Sequence, residues 1–303
     1  MIQALFDGVL VGSVLSLGAI GLTLVMHILR FANFSHAELL TIGAYAALTF
    51  DAFFSVLAPP LAAGIGPLSM TLALIAAMVL AMGVTALSAI VIDRLIFRRL
   101  RQQAGPLTMV FASFGVALIV RNLISLGFGL HTQRYTDEIA FAVVVSTDPF
   151  LLVKPDQVVV LVLALSAMAA LYLLLTRTTL GFALRAVAEN PELAQVNGVS
   201  LPATVRLTWI IGGVLAAAAG VLFAIDSQLS PVMGRDLVLS LFAAAIVGGL
   251  GSVTGAMLGG MIVGLASSFA LLVMPAGYKP AIPFLIILAT LYIRPHGLFG
   301  EAR

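Results

Sequence analysis

The sequence contains no cysteine and very little charge. Without cysteine there is no disulfide framework, no thiolate metal site and no cysteine nucleophile. Charged residues fill 9% of 303 positions, against about 25% in an ordinary soluble domain. A soluble enzyme, a nucleic-acid binder and a disordered scaffold are therefore excluded. No Gly-x4-Gly-Lys-Ser/Thr loop occurs either, so nothing in the chain is built to hold a nucleotide. Met1 to Asp7 carries no Lys or Arg, so the basic start of a cleaved leader is missing and the first apolar run is expected to remain as a span.

What is present is apolar. Hydrophobic residues make up 61% of the chain and the mean hydropathy is +1.16. Several stretches of 18 or more residues carry no Lys, Arg, Asp or Glu, and about 20 such residues cross a bilayer as a helix. They are continuously apolar and lack the alternating polarity of barrel strands. The expectation is an all-α polytopic membrane bundle of about nine spans, eight to ten. These are Gly8–Leu29, Leu39–Leu57, Leu68–Ile92, Leu107–Leu130, Val158–Leu175, Leu207–Ala224, Leu237–Leu250, Val253–Met274 and Ala281–Ile293. The seventh and ninth are short, which suggests broken or re-entrant helices shielded from lipid.

Basic residues record orientation. Alternate connections place Arg30, Arg94, Arg98, Arg99, Arg101, Arg177, Arg185, Arg206, Arg294 and Arg303 on one side, with only Arg134, Lys154, Arg235 and Lys279 on the other. Ten against four puts the first group in the cytoplasm, the N-terminus outside and the C-terminus inside. Two connections are long. The external one, His131 to Gln157, carries Asp137, Glu138, Asp148 and Asp156, and the cytoplasmic one spans Thr176 to Arg206. No separate soluble domain interrupts residues 1–303.

Small residues recur every four positions: Gly8 and Gly12; Gly212, Ala216 and Gly220; and Gly251, Gly255 and Gly259 with Gly260 and Gly264. Such ladders let helix backbones approach closely. Two polar features lie within the membrane pattern. Arg121, followed by Asn122, sits inside the fourth span, where a guanidinium needs a partner or a wet cavity; it serves either structure or a pathway. Asn33, Ser35, His36 and Glu38 form a polar island between the first two spans. Its simplest role is a cytoplasmic N-cap of the second helix, with a proton relay through His36 as the functional alternative. His36 and Glu38 at i, i+2 do not share a helix face, so they make a poor metal site.

In the cytoplasmic segment 176–206, Leu184 to Glu189 and Pro191 to Val196 read as two short helices. Asn190 caps the second, and Pro191 suits its first turn. Glu192-Leu-Ala-Gln-Val-Asn-Gly198 resembles the Glu-Ala-Ala-x3-Gly coupling loop of ABC importer permeases, with Leu193 for the middle Ala. The whole chain resembles the permease subunits of branched-chain amino acid ABC importers. Arg30-Phe-Ala-Asn-Phe-Ser-His-Ala-Glu-Leu39 is similar to that family's Asn-Phe-Ala-His-Gly-Glu signature, with Ser35 for Ala and Ala37 for Gly. Arg185-Ala-Val-Ala-Glu-Asn190 with Ala194 and Gly198, the glycine turn from Gly248 to Met257 (Thr254 where Pro is common), and Arg294-Pro-His-Gly-Leu-Phe-Gly300 complete the match.

The resemblance implies a transport subunit rather than an enzyme, in a bacterial inner membrane. It implies two cytoplasmic ATPase subunits, a second and usually non-identical permease, and a periplasmic binding protein as partners, with no nucleic acid. ATP and its magnesium would sit on the ATPases, and no cofactor or metal on this chain. Coupling to the ATPases falls to Arg185, Glu189, Asn190, Glu192, Ala194 and Gly198, and the substrate pathway to Asn33, His36, Glu38, Arg121 and Asn122. Related permeases carry urea, short amides or other amino acids, and an ion-coupled carrier is the competing class.

Overall fold

The computed structural model describes residues 1–64, 66, 68–136, 141–147 and 150–300. Asp137, Glu138, Asp148 and Arg303, which entered the charge reading above, lie outside the described residues. The bundle is helical from end to end. In chain order the helices are α1 (Ile2–Leu29), α2 (His36–Leu57), α3 (Leu72–Ile92), α4 (Arg98–Gln103), α5 (Pro106–Phe128), α6 (Pro155–Arg177), α7 (Thr179–Glu189), α8 (Pro191–Val196), α9 (Leu201–Asp226), α10 (Met233–Gly248), α11 (Val253–Ala270) and α12 (Ala281–Ile293). A small antiparallel hairpin, β1 (Val143–Thr147) with β2 (Phe150–Val153), occupies the long connection before α6. The all-α expectation did not include it.

Side-chain oxygens and prolines set the helix starts. Thr71 accepts from the Leu74 N–H at 3.0 Å to open α3, and Ser252 accepts from the Gly255 N–H at 3.0 Å to open α11. Proline stands in the first turn of α5, α6, α8 and α9, where its missing N–H costs nothing. A π turn at Asp93–Phe97 joins α3 to α4, giving one rod of 32 residues. Asp93 and Arg101 form an ion pair along that rod.

The centre of the bundle is α1 and α9, apolar on every side and buried on most of them. α11 and α10 pack on one flank of α1, while α2 and α3 pack on α9. Glycine makes these approaches possible. The glycine ladder of α11 divides between two partners: Gly260 and Gly264 lie against Ser16, Gly12 and Gly8 of α1, and Gly255 and Gly259 lie against Gly248 and Ala244 of α10. Where no hydrophobic drive separates helix from lipid, this contact and its dispersion energy hold the helices together. The outward faces of α3, α5, α6 and α12 instead expose large apolar side chains such as Val79, Leu87, Leu126, Val162 and Tyr292.

Among the described residues seven helices have the length and apolar character of membrane spans, fewer than the nine expected. The two short candidates are helical, yet α10 has 16 residues and α12 has 13. At 1.5 Å per residue neither reaches the ~30 Å of a hydrocarbon core. The described chain ends in a strap laid on the glycine turn after α10: Leu298 N–H donates to the Val247 carbonyl at 2.8 Å and Phe299 N–H to that of Gly248 at 3.1 Å. Two of the sequence motifs thus form one structure.

Candidate functional site

The connection between α1 and α2 does not stay at the end of the bundle. Arg30 closes α1 in the left-handed conformation, φ 57°. The chain then climbs back along α1, so that the His36 ring lies against Gly21, two turns up from Leu29. Aromatic contacts hold this climb. Phe31 lies 5.2 Å from Phe97, which stacks on Trp209. Phe34 stacks on Phe114 of α5 at 4.0 Å and lies 4.6 Å from Phe242 of α10. The Phe34 N–H donates to Ser113 Oγ at 3.1 Å, and the Ser113 hydroxyl donates to the Val110 carbonyl at 2.7 Å.

α2 therefore begins inside the bundle, with His36 and Glu38 in its first turn as expected but without the expected capping bond. Ser35 occupies the N-cap position without a side-chain capping bond. Asn33 Oδ1 accepts instead from the Ser35 N–H at 3.1 Å and hydroxyl at 2.6 Å, a local turn that orients the helix start. Asn33, Ser35, His36 and Glu38 are all buried. Such a start is tolerated at depth only because protein surrounds it.

α10 begins beside it. Residues 227–232 return from the end of α9, and the Gly234 N–H donates to Thr41 Oγ1 at 3.1 Å. The Thr41 hydroxyl in turn lies 3.4 Å from Glu38 Oε2. A Cβ at Gly234 would sit 2.7 Å from the Ala37 carbonyl, Glu38 Oε2 and Thr41 Oγ1, so glycine is what lets α10 start here. The first turns of α2 and α10 thus meet around one carboxylate, and helix N-termini favour negative charge.

Arg121 of α5 answers that carboxylate. Its Nε donates to Glu38 Oε1 at 3.1 Å, and its Nη2 donates to the same oxygen. Glu38 is 1% exposed, whereas the Arg121 side chain keeps 19% of its surface. Asn122 stands outside this group, exposed on α5 with its amide turned to the Leu118 carbonyl at 2.7 Å. His36 faces the other way, toward Gly21 and Gly212, so it and Glu38 do occupy different faces of α2. Among the described residues no donor on the Asn33 amide has a hydrogen-bond partner. Thr41 and Gly234 were absent from the sequence reading. The signal that leads to Glu38 was present: a buried guanidinium needs an acid at its own depth, and α2 carries two acids, Glu38 and Asp51.

At the opposite end from Ile2, α6 passes into α7 and α8. The second short helix has the boundaries expected, and the first begins earlier, at Thr179. Asn190 Oδ1 accepts from the Glu192 and Leu193 N–H groups at 3.1 and 3.0 Å, which caps α8 as foreseen. Gly198 takes φ 84° in the turn that follows. The coupling candidates divide by role. Arg185 bonds the Leu175 carbonyl and secures α7 to α6, and Ala194 is buried. Glu189 and Glu192 are exposed. The apolar surface of this joint comes from residues outside that set of candidates, Phe182, Leu193 and Val196, with Val196 85% exposed.

Two helices that start at depth around a buried ion pair, inside a bundle of apolar spans, are the construction of a multi-pass membrane transport subunit. The family model for the branched-chain amino acid transport system permease component matches residues 4–291, and the chain belongs to that family. It is 31% identical over 303 residues to the high-affinity branched-chain amino acid transport system permease protein BraD of Pseudomonas aeruginosa, covering 99% of this chain and 96% of that protein. It is 30% identical over 305 residues to LivH of Escherichia coli, with the same coverage. The probable LivH of Methanocaldococcus jannaschii is 30% identical over 307 residues, covering 98% and 92%. The family is one of transport permeases and not of enzymes.

Proposed function

We propose that this protein is the permease subunit of an ATP-driven importer that carries branched-chain amino acids across a bacterial inner membrane. Residues 1–303 act as one permease domain, with 176–206 as its coupling segment. The observation that carries the reading is the exposed apolar surface of Phe182, Leu193 and Val196 on a capped helical joint, in a chain of this family that holds no phosphate-binding loop. A short amphipathic helix seats in a partner's groove by such a face. The partners are two ATPase subunits that bind ATP and magnesium, a second permease, and a periplasmic binding protein. The ten-to-four basic asymmetry places α7 and α8 in the cytoplasm, and the end that carries Ile2 and the β hairpin outside.

The pathway runs along the outward face of α5. Asn122 and Gly115 are open there, beside the partly exposed Arg121. An asparagine turned to lipid in mid-span is unfavourable, so water or a second permease covers this face. The test is uptake into vesicles of a panel of labelled amino acids, urea and short amides by the assembled importer. Uptake of leucine, isoleucine and valine that requires ATP and the separate ATPases, and ignores ion gradients, is the expected result. Uptake driven by an ion gradient would refute the reading.

A further inference from the structure

We propose that the Glu38–Arg121 pair recognises the two charged ends of the amino acid as it crosses, the substrate carboxylate taking Arg121 and the substrate ammonium taking Glu38. The inference rests on the amino-acid reading above.

The geometry leaves the pair half used. Both bonds from Arg121 go to a single oxygen, Oε1, whereas a full fork engages both carboxylate oxygens. Among the described residues Arg121 Nη1 makes no hydrogen bond, and Glu38 Oε2 has only the 3.4 Å contact with Thr41. The guanidinium is reached from the open side of α5, where Asn122 follows it.

A pin between α2 and α5 does not call for ionised groups. Apolar residues of similar volume hold buried positions as well or better, because an ion pair must first lose its water. A zwitterion gives the desolvated pair a use. Crossing a membrane, an amino acid must shed water from an ammonium and a carboxylate together. A fixed carboxylate and a fixed guanidinium side by side replace both hydration shells with no change in net charge. When Arg121 turns to the substrate, the substrate ammonium takes the place of the guanidinium beside Glu38. Phe34 stacks on Phe114, about two helical turns along α5 from Arg121, and gives the pair's own two helices an apolar neighbour for the substrate side chain.

The experiment uses the assembled permease–ATPase complex in liposomes with the binding protein omitted, so that only the permease sees the probe. The probe is a leucine analogue with a diazirine in its side chain. Cross-links are expected in α2 or α5, suppressed by leucine. Isoamylamine, which lacks the carboxylate, and 4-methyl-2-oxopentanoate, which lacks the ammonium, should not suppress them. Arg121→Lys keeps a cation opposite Glu38 and so preserves the fold, but loses the fork; labelling should fall at least about fivefold. Glu38→Gln combined with Arg121→Gln should abolish it. Labelling of Arg121→Lys within about twofold of wild type, equal suppression by the amine, or cross-links confined to other helices would overturn the proposal. Leucine uptake by the wild-type complex with its loaded binding protein separates the two levels. No uptake refutes the proposed function, whereas uptake without labelling of α2 or α5 refutes only the role of the pair.

Discussion

At Gly264 a Cβ would overlap the backbone of Gly12 and Gly8, while at Gly83 nothing lies within 4 Å. The same substitution at these two positions therefore has opposite consequences. Gly264→Leu should force α11 away from α1 and destabilise the subunit by about 1–3 kcal/mol, the usual cost of overpacking. Gly83→Leu should be neutral or slightly stabilising, because glycine inside a helix is unfavourable and the new side chain meets only open space. Thermal unfolding in detergent separates them, and an unchanged midpoint for Gly264→Leu would contradict the packing. The glycine at 198 differs from both. It has space around it, but its φ of 84° disfavours any side chain. Gly198→Val should strain the turn after α8 by about 1–2 kcal/mol without disturbing the bundle.

Among the elements, α5 and the α7–α8 joint are the two whose exposed faces we assign to protein partners. α5 is held on one side by the Phe34–Phe114 stack, the Ser113 bond and the Arg121 pair. Its other side leaves Gly115 open. Gly115→Leu should accordingly leave the isolated subunit as stable as wild type and lower its co-purification with the second permease. Loss of stability in the isolated subunit would count against an interface there. For the joint, Leu193→Glu with Val196→Glu places two charges in an apolar contact. ATPase co-purification should fall by at least about tenfold while membrane insertion is unchanged. If the ATPase still binds and its turnover still follows substrate, the docking surface lies elsewhere, with the basic α4 rod as the next place to look.

For the molecule as a whole, the interrupted helices change what topology mapping should find. Tags at Ala104 and at the C-terminus should report the cytoplasm, and one at Thr132 the outside, as the basic asymmetry requires. The absence of cysteine makes a finer test simple, since any introduced thiol is unique. A cysteine at Asn33 should resist a membrane-impermeant maleimide from either side, because that residue is fully buried. One at Ala104 should react from the inside. Rapid labelling at Asn33 from the cytoplasm would restore the surface cap that the sequence suggested.

The apolar runs determined that the chain is a helical membrane bundle, because only helices and closed barrels satisfy the backbone without water and continuous apolar runs lack the alternation of barrel strands. Local chemistry was equally legible where it depends on neighbours in sequence: Asn190 before Pro191 caps α8, and Gly198 makes the turn that follows. The tertiary structure decided the rest. Among the described residues seven helices have full length, and α10 is short because it starts inside the bundle, where Gly234 meets α2 across 193 residues of chain. The island Asn33 to Glu38 reads locally as a cap, and only packing against α5 and α10 draws it inward. Arg121 announced that it needed a partner, but the identity of that partner is a fact of distance, since a charge in an apolar span specifies the chemistry it must meet and not the helix that brings it.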